Sequence, residues 1–392
     1  MSEADDLQMI RHDFPLTKKV IYMNNGAIAP TPLSTVKAVA DFMLKCAESG
    51  PDAPLISDYT VSLLDELRTR IAHLINCERE EVVLVQSTTE GLNMVANGIC
   101  WQKGDAIVVR GGRHEHYANY LPWVSLSQRK GVQLRDLAVD KDSGYFDMAD
   151  LEKSVKGARM VAMSHALYNT GAVMPLEEVG KIVAEENNAL FCVDAAQSAG
   201  TIPIDVKKIG CHFMAFPGFK WLCGPTGIGA FYISKRVHEL LTPPSIGIES
   251  AILSDQNVIA YLDPPTRFQA GFRNFPGAAG LEASVRYILR IGIDNIRKMN
   301  LKVANALRDE IGKIPNTKIY GPDDENKRTS IVTFTTGKVD SSTIVKKLEQ
   351  DNIIFAARDI GDGRKAVRAA PHFFNSEEEA ATAASYVKSI LL

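Results

Sequence analysis

Three polar groups set just after apolar runs are the residues of this chain best suited to chemistry. Lys220 stands between Phe219 and Trp221 in "FPGFKWLCGPTGIGAFYIS", residues 216–234. An ammonium among aromatic rings loses hydration, which lowers its pKa and makes the neutral amine available as nucleophile or base. A lysine stem can also lie along apolar surface with its head in water, so the local sequence fits both readings. Asp194 directly follows "ALFCV" and precedes Gln197 by three residues. A carboxylate there needs a partner to offset its desolvation; the protonated ring nitrogen of a cofactor is one, and the backbone N–H groups of a helix start are another. After "EVVLV", Ser87 lies three residues before Glu90, the spacing of a capping box, with Thr88 and Thr89 between them. Hydroxyls and open N–H groups at a helix start suit a phosphate as well as a plain cap.

Together the three groups supply an anion cradle, an acid and an amine. Pyridoxal phosphate requires that set: a phosphate site, a carboxylate that keeps the pyridine nitrogen protonated, and a lysine for the Schiff base. A dinucleotide reading is weaker, since Gly224, Gly227 and Gly229 form neither GxGxxG nor GxxxxGK[ST] and lead into the strand-like "AFYIS".

The elements that must position these groups are legible as an alternation. From about Val82 to Ser234, "EVVLV", "AIVVR", "ARMVAMSH", "ALFCVDA", "HFMAF" and "GIGAFYIS" read as strands buried on both faces, with amphipathic stretches such as "LEEVGKIVAEEN" between them. This predicts an α/β fold with a mainly parallel sheet, whose ligands collect at the carboxyl ends of the strands. Beyond about Leu281 the pattern changes to one long helix, the strand "SIVTFT", the helix "SSTIVKKLEQD" and a closing helix that starts at a Ser376/Glu379 capping box. A smaller α+β unit is expected there.

Composition narrows the function. The chain has 392 residues, 45% of them apolar, and a formal net charge of −3 with both signs mixed, so no basic face argues for nucleic acid or anionic membrane. The start, "MSEADDLQMIRHDFPL", lacks a secretory pattern and no apolar run approaches spanning length, which reads as cytoplasmic. The six cysteines show no metal-ligand spacing and are expected to be reduced and mostly buried; no metal is expected. Small-molecule partners are the default.

In ordered segments along nearly its whole length, the chain resembles the class V aminotransferase family of pyridoxal-phosphate enzymes, which also holds cysteine desulfurases, C–S lyases and an epimerase branch. The segments are "YMNNGAIAPTP", "STTEGLN", "EHYANYLPW", "VDAAQSAG", "FKWLCGPTGIG" and "VRAAPHFFNSEEE". The resemblance implies the aspartate-aminotransferase-like architecture (fold-type I), with residues 16–285 as the large cofactor domain and 1–15 with 286–392 as the small one. It implies that Lys220 carries the cofactor and moves protons, Asp194 pairs with the ring nitrogen, and Gln197 bonds the phenolic oxygen. His116 would stack on the ring, and Thr88 and Thr89 would hold the phosphate. Arg368 matches the clamp for an α-carboxylate, with Arg358 assisting, and Asn25 and Gly26 match the N-terminal substrate loop. "RFQAGFRNFPG", residues 267–277, resembles the loop that reaches a neighbouring subunit's cofactor, which implies a homodimer with shared sites.

Three positions depart from the desulfurase pattern. Those enzymes carry a nucleophilic cysteine on a loop between the two arginine positions, whereas "RDIGDGRKAVR", Arg358 to Arg368, has none. Cys223, three residues beyond Lys220, is expected to pack beneath the turn. Phe219 replaces a histidine, and Phe272 stands where related desulfurases use threonine. The sequence therefore puts an aminotransferase first. The alternative is a C–S lyase or cysteine desulfurase-like enzyme, and amino-acid epimerisation comes third.

Overall fold

Seven strands make the central sheet among the described residues, in the spatial order Val82–Val85, Gly229–Ile233, Phe213–Pro217, Leu190–Asp194, Met160–Ser164, Ala106–Arg110 and Gln133–Leu137. The computed structural model describes residues 3–391 except 187, 188, 272, 338 and 362, so the reading of Phe272 lies outside the described residues. All pairings are parallel except those of Gly229–Ile233, which runs against both its neighbours. The mainly parallel sheet expected from the alternation is present, and its one reversed strand follows Phe213–Pro217 through the glycine-rich turn that holds Lys220.

Why the strand sequences are almost wholly apolar is visible in Phe213–Pro217. Successive side chains of a strand point to opposite faces. Phe213 and Ala215 enter a core shared with Leu92, Trp123 and Phe231, while Met214 and Phe216 enter the core on the other face with Leu67, Phe191 and Leu281. Both faces are covered, so both sets are apolar. Only the edge strand Gln133–Leu137 keeps a polar, accessible pattern.

A second, four-stranded antiparallel sheet has the order Thr317–Tyr320, Val332–Thr336, Lys365–Ala369, Ala356–Asp359. With helices Ile293–Gly312, Ser341–Gln350 and Glu377–Leu391 it closes its own core around Leu307, Phe334, Ile344, Val367 and Val387. Strand Ile21–Tyr22 pairs in parallel with Ile353–Ile354, and Met23 joins this core. That pairing delivers the next residues, Asn24 to Gly26, to the junction with the larger sheet.

The long helix expected after Leu281 is instead two, Phe275–Ile291 and Ile293–Gly312. Gly292 between them has φ +87°, a value that ends a helix and that glycine adopts without a Cβ penalty. The closing helix has the expected capping box: the Glu379 N–H donates to Ser376 Oγ at 3.1 Å and the Ser376 N–H to Glu379 Oε2 at 3.2 Å. Cys192, Cys211 and Cys223 are buried as expected, but Cys46 and Cys77 are only half-buried and Cys100 is exposed. No described helix is long and apolar enough to cross a membrane, and the described residues hold no cluster of His, Cys, Asp and Glu suited to a metal ion.

Candidate active site

Thr88, Thr89, His116, Asp194, Gln197 and Lys220 line one cavity at the carboxyl ends of the large sheet. Asp194 ends its strand and is buried; its Oδ1 accepts the Ala196 N–H at 2.8 Å. Burial raises its pKa to about 6, against the opposing pull of that N–H and of Lys220. Lys220 is half-buried, and desolvation lowers its pKa to about 8; Arg368 and Arg358 push the same way while Asp194 opposes. An amine so placed is in part unprotonated near neutral pH.

At the anion end, helix Thr88–Gly98 starts with Ser87 as its cap, whose Oγ accepts the Glu90 N–H at 3.2 Å. Thr88 is buried, and its Oγ1 has no hydrogen-bond partner. A buried hydroxyl without a partner is costly, so a ligand oxygen is the natural recipient of its proton. Thr89 is exposed at the same turn.

His116 begins helix Tyr117–Lys130, and its Nδ1 accepts the Ala118 N–H at 3.1 Å. That bond assigns the neutral ring's proton to Nε2. Desolvation, then the charges of Lys220, Arg368 and Arg358, hold its pKa well below the usual imidazole value. Its ring meets Tyr168 edge-on, with centroids 4.9 Å apart at 81°.

Arg368 is 1% exposed and comes from the smaller sheet; like Asn25 and Gly26 it is not among the residues that line the cavity, but it bonds Tyr168, which is. It donates from Nη1 to the Tyr168 carbonyl at 2.8 Å and from Nη2 to Asn24 Oδ1 at 3.2 Å, leaving Nε without a partner. Burial and the neighbouring Arg358 lower its pKa to about 9. Gly26 allows this approach: a Cβ there would lie 3.2 Å from Gln197 Oε1 and 3.4 Å from the guanidinium carbon. Asn25 is buried beside it, its Nδ2 donating to the Ala370 carbonyl at 2.8 Å. Arg358 does not line the cavity. It sits two residues along from Ala356, the cross-strand partner of Arg368, on the same face of the smaller sheet.

The structure adds residues that local sequence could not single out. Glu115 is 2% exposed, paired with the fully buried Arg110 at 3.3 Å, and accepts the Ser164 N–H at 3.2 Å and the Ser164 hydroxyl. It locks the base of His116 to the strand beside Asp194. Tyr168 both edges His116 and holds Arg368 through its carbonyl.

This donor set fits pyridoxal phosphate. The unpartnered Thr88 hydroxyl and the helix start suit its phosphate, the reluctantly ionised Asp194 gains from a protonated ring nitrogen, and Lys220 supplies an amine of lowered pKa.

Comparison with known proteins agrees. A "probable cysteine desulfurase" of Pyrococcus abyssi is 36% identical over 386 residues, covering 95% of this chain and 94% of that protein. The apo structure of a cysteine desulfurase from Thermococcus onnurineus NA1 superposes with a TM-score of 0.91 at 33% identity, covering 100% of this chain and 98% of that one. A lysine-to-alanine mutant of the protein C-DES, 25% identical, has been solved with glycine covalently linked to its pyridoxal-phosphate cofactor (TM-score 0.89, 96% of this chain, 98% of that one). As a cystine C–S lyase, C-DES has also been solved with its reaction product cysteine persulfide (TM-score 0.88, 96% and 99%). The architecture is therefore that of the fold-type I enzymes. With the model of the family "Aminotransferase class-V" matching residues 21–379, the chain belongs to the class V aminotransferases and takes pyridoxal phosphate as its cofactor.

Proposed function

We propose that the protein breaks the Cβ–S bond of a sulfur amino acid, with a disulfide such as L-cystine as its substrate. The sequence puts transamination first, and the relatives weigh for its alternative, since they are named cysteine desulfurase or cystine C–S lyase. One observation supports the second of those names: the segment from Arg358 to Arg368 contains no cysteine. Cysteine can pass sulfur to a protein thiol only if such a thiol reaches the substrate. Cys223 does not offer one, because it is 1% exposed and burial raises its thiol pKa strongly. A disulfide substrate needs no acceptor thiol, because the leaving group carries both sulfurs away. Cystine and water then give cysteine persulfide, pyruvate and ammonia, with no external oxidant or reductant.

The residues divide this work. Arg368 grips the α-carboxylate, its buried Nε still lacking a partner and the missing side chain of Gly26 sparing the guanidinium a close contact. Lys220 takes the proton from Cα, its pKa of about 8 suiting a base at neutral pH. Bound pyridoxal phosphate, held by Thr88, Asp194, Gln197 and Lys220, supplies the electron sink that makes that proton acidic. His116, with its proton on Nε2, stands at the cavity as a donor to the departing sulfur.

The test is to supply the holoenzyme with L-cystine and L-cysteine separately, without a keto acid. Equal amounts of pyruvate, ammonia and persulfide from cystine are expected, with Cys223→Ala within about threefold of wild type. A single equivalent of keto acid, its amino group retained on the cofactor, would return the reading to transamination.

We also infer a homodimer. Helix Leu33–Ser49 exposes Leu33, Val36, Met43 and Leu44, helix Pro54–Ile75 exposes Leu55 and Val61, and the hairpin strands Ala251–Leu253 and Ile259–Tyr261 expose Ile252, Leu253 and Ile259. This much apolar surface favours association. Met43→Lys combined with Ile252→Lys is expected to halve the mass seen by light scattering; a wild-type protein that is already monomeric rules the dimer out.

A further inference from the structure

The backbone around Lys220 is held on both sides. The Phe219 carbonyl accepts the Ala29 N–H at 2.9 Å, and the Trp221 carbonyl lies 3.0 Å from His372 Nε2. His372 has no exposed surface and sits four residues after Arg368, in the segment that leaves the smaller sheet. Burial holds its pKa near 3, so its ring is neutral and carries one proton. A carbonyl can only accept, so that proton is on Nε2.

The second ring nitrogen must then accept. Nδ1 lies 3.2 Å from the Asn300 amide, whose other end is 2.9 Å from Thr201 Oγ1. Turned so that its NH2 faces Nδ1, Asn300 donates to the ring and accepts from the Thr201 hydroxyl, and every member of the chain is satisfied. The Trp221 carbonyl is confined from its other side too. Gly200 has φ +95°, and a Cβ there would lie 2.7 Å from that oxygen. From the same tryptophan, Nε1 donates to Gln197 Oε1 at 2.9 Å, and Gln197 Nε2 donates to the Gly26 carbonyl at 2.9 Å.

We propose that His372 is a positioning residue for Lys220: by holding the Trp221 carbonyl it fixes the peptide from which the lysine swings, and it ties that peptide to the segment carrying Arg368. The amine and the carboxylate clamp come from different sheets. A hydrogen bond from one segment to the other, with both ends fully buried, sets their separation. Gln197 is drawn into the same register through Trp221, so the network joins Gln197 and Lys220, which line the cavity, to the segment of Arg368. Small displacements of a reacting group cost large factors in rate, which is why a buried donor with no chemical role of its own belongs there.

The inference rests on Lys220 being the reactive amine, and the test separates the two. Apoprotein is mixed with pyridoxal phosphate, reduced with borohydride at timed intervals, and the modified lysine identified and quantified by mass spectrometry. His372→Leu, which lacks the donor, is expected to slow adduct formation at Lys220 by about tenfold, and His372→Gln, which keeps a neutral N–H donor, to stay within about threefold of wild type. Ile331→Ala removes packing from the same small cluster of Trp221, Ile331 and Ala370 but spares the hydrogen bond; it should lower the melting temperature and leave the adduct rate unchanged. Gly200→Ala pushes on the carbonyl from the opposite side with His372 intact, and should slow the adduct as the leucine variant does even if the latter fails to fold. Wild-type adduct rates in both His372→Leu and Gly200→Ala would overturn the proposal, as would equal slowing in Ile331→Ala. An adduct on a different lysine in the wild-type protein would remove the Lys220 assignment itself and the role of His372 with it.

Discussion

Lys220→Ala is expected to abolish covalent attachment of pyridoxal phosphate and to lower turnover by about 10^4-fold or more, with the fold intact. The same nitrogen is asked to hold the cofactor and to take the Cα proton, so both functions leave together; proton transfer alone accounts for about 10^2 to 10^4. The apoprotein should become more stable near neutral pH, because the ammonium is disfavoured where it sits, its pKa lowered to about 8 chiefly by desolvation, and alanine removes that cost. What the variant loses is the partial compensation of Asp194, whose carboxylate the lysine charge favours. The measurement is the visible spectrum of the reconstituted protein, followed by borohydride reduction and peptide mass spectrometry. A reduced adduct on another lysine, together with retained turnover, would show that the amine had been wrongly chosen.

The sheet and its three chemically loaded strand ends were legible because each strand is a short apolar run closed by a polar residue. In "ALFCVD" the five residues before Asp194 are all buried, so a carboxylate at their end could not pass for an ordinary surface acid. The reversed strand Gly229–Ile233 was not legible as reversed. It is buried on both faces like its parallel neighbours, and burial pattern carries no information on direction. The break at Gly292 was missed because the apolar periodicity continues on both sides of it, and only φ at one glycine divides the helix.

The site was harder than the sheet for a related reason. Glu115 lies in the polar run "RGGRHEHY", which reads as surface, and it becomes buried only because Arg110 ends one strand and Ser164 another. Arg368 and Gly26 come from opposite ends of the chain, yet a Cβ at Gly26 would lie 3.4 Å from the guanidinium, a proximity no local pattern announces. The choice between transamination and C–S cleavage had no local signature either. Both routes use the same lysine, acid and clamp in their early steps and diverge in whether a group leaves Cβ, so the absent loop thiol, which from sequence alone favours transamination, weighs for a disulfide substrate only beside relatives named for sulfur chemistry.

Asp194→Asn should move activity and apoprotein stability in opposite directions. Turnover is expected to fall by about 10^3-fold, because an amide does not stabilise a proton on the ring nitrogen as a carboxylate does and the electron sink weakens. Stability follows from the sign of the pKa shift. The carboxyl is raised from an ordinary 3.8 to about 6 in the folded protein, so its contribution is fully present below pH 3.8 and is lost as pH rises through 6. At pH 7 the wild-type apoprotein therefore carries a penalty of roughly 2–3 kcal/mol, the attraction of Lys220 already included, that a neutral amide avoids. The Asn oxygen can still accept the Ala196 N–H, so the turn after the strand survives. Thermal melting of the two apoproteins should coincide near pH 4 and separate above pH 6 with the variant more stable, and saturating pyridoxal phosphate should close the gap by giving the wild-type carboxylate its partner. Parallel curves at all pH values, with or without cofactor, would mean that Asp194 already ionises comfortably on its own backbone contacts and that the cofactor nitrogen is held by another group.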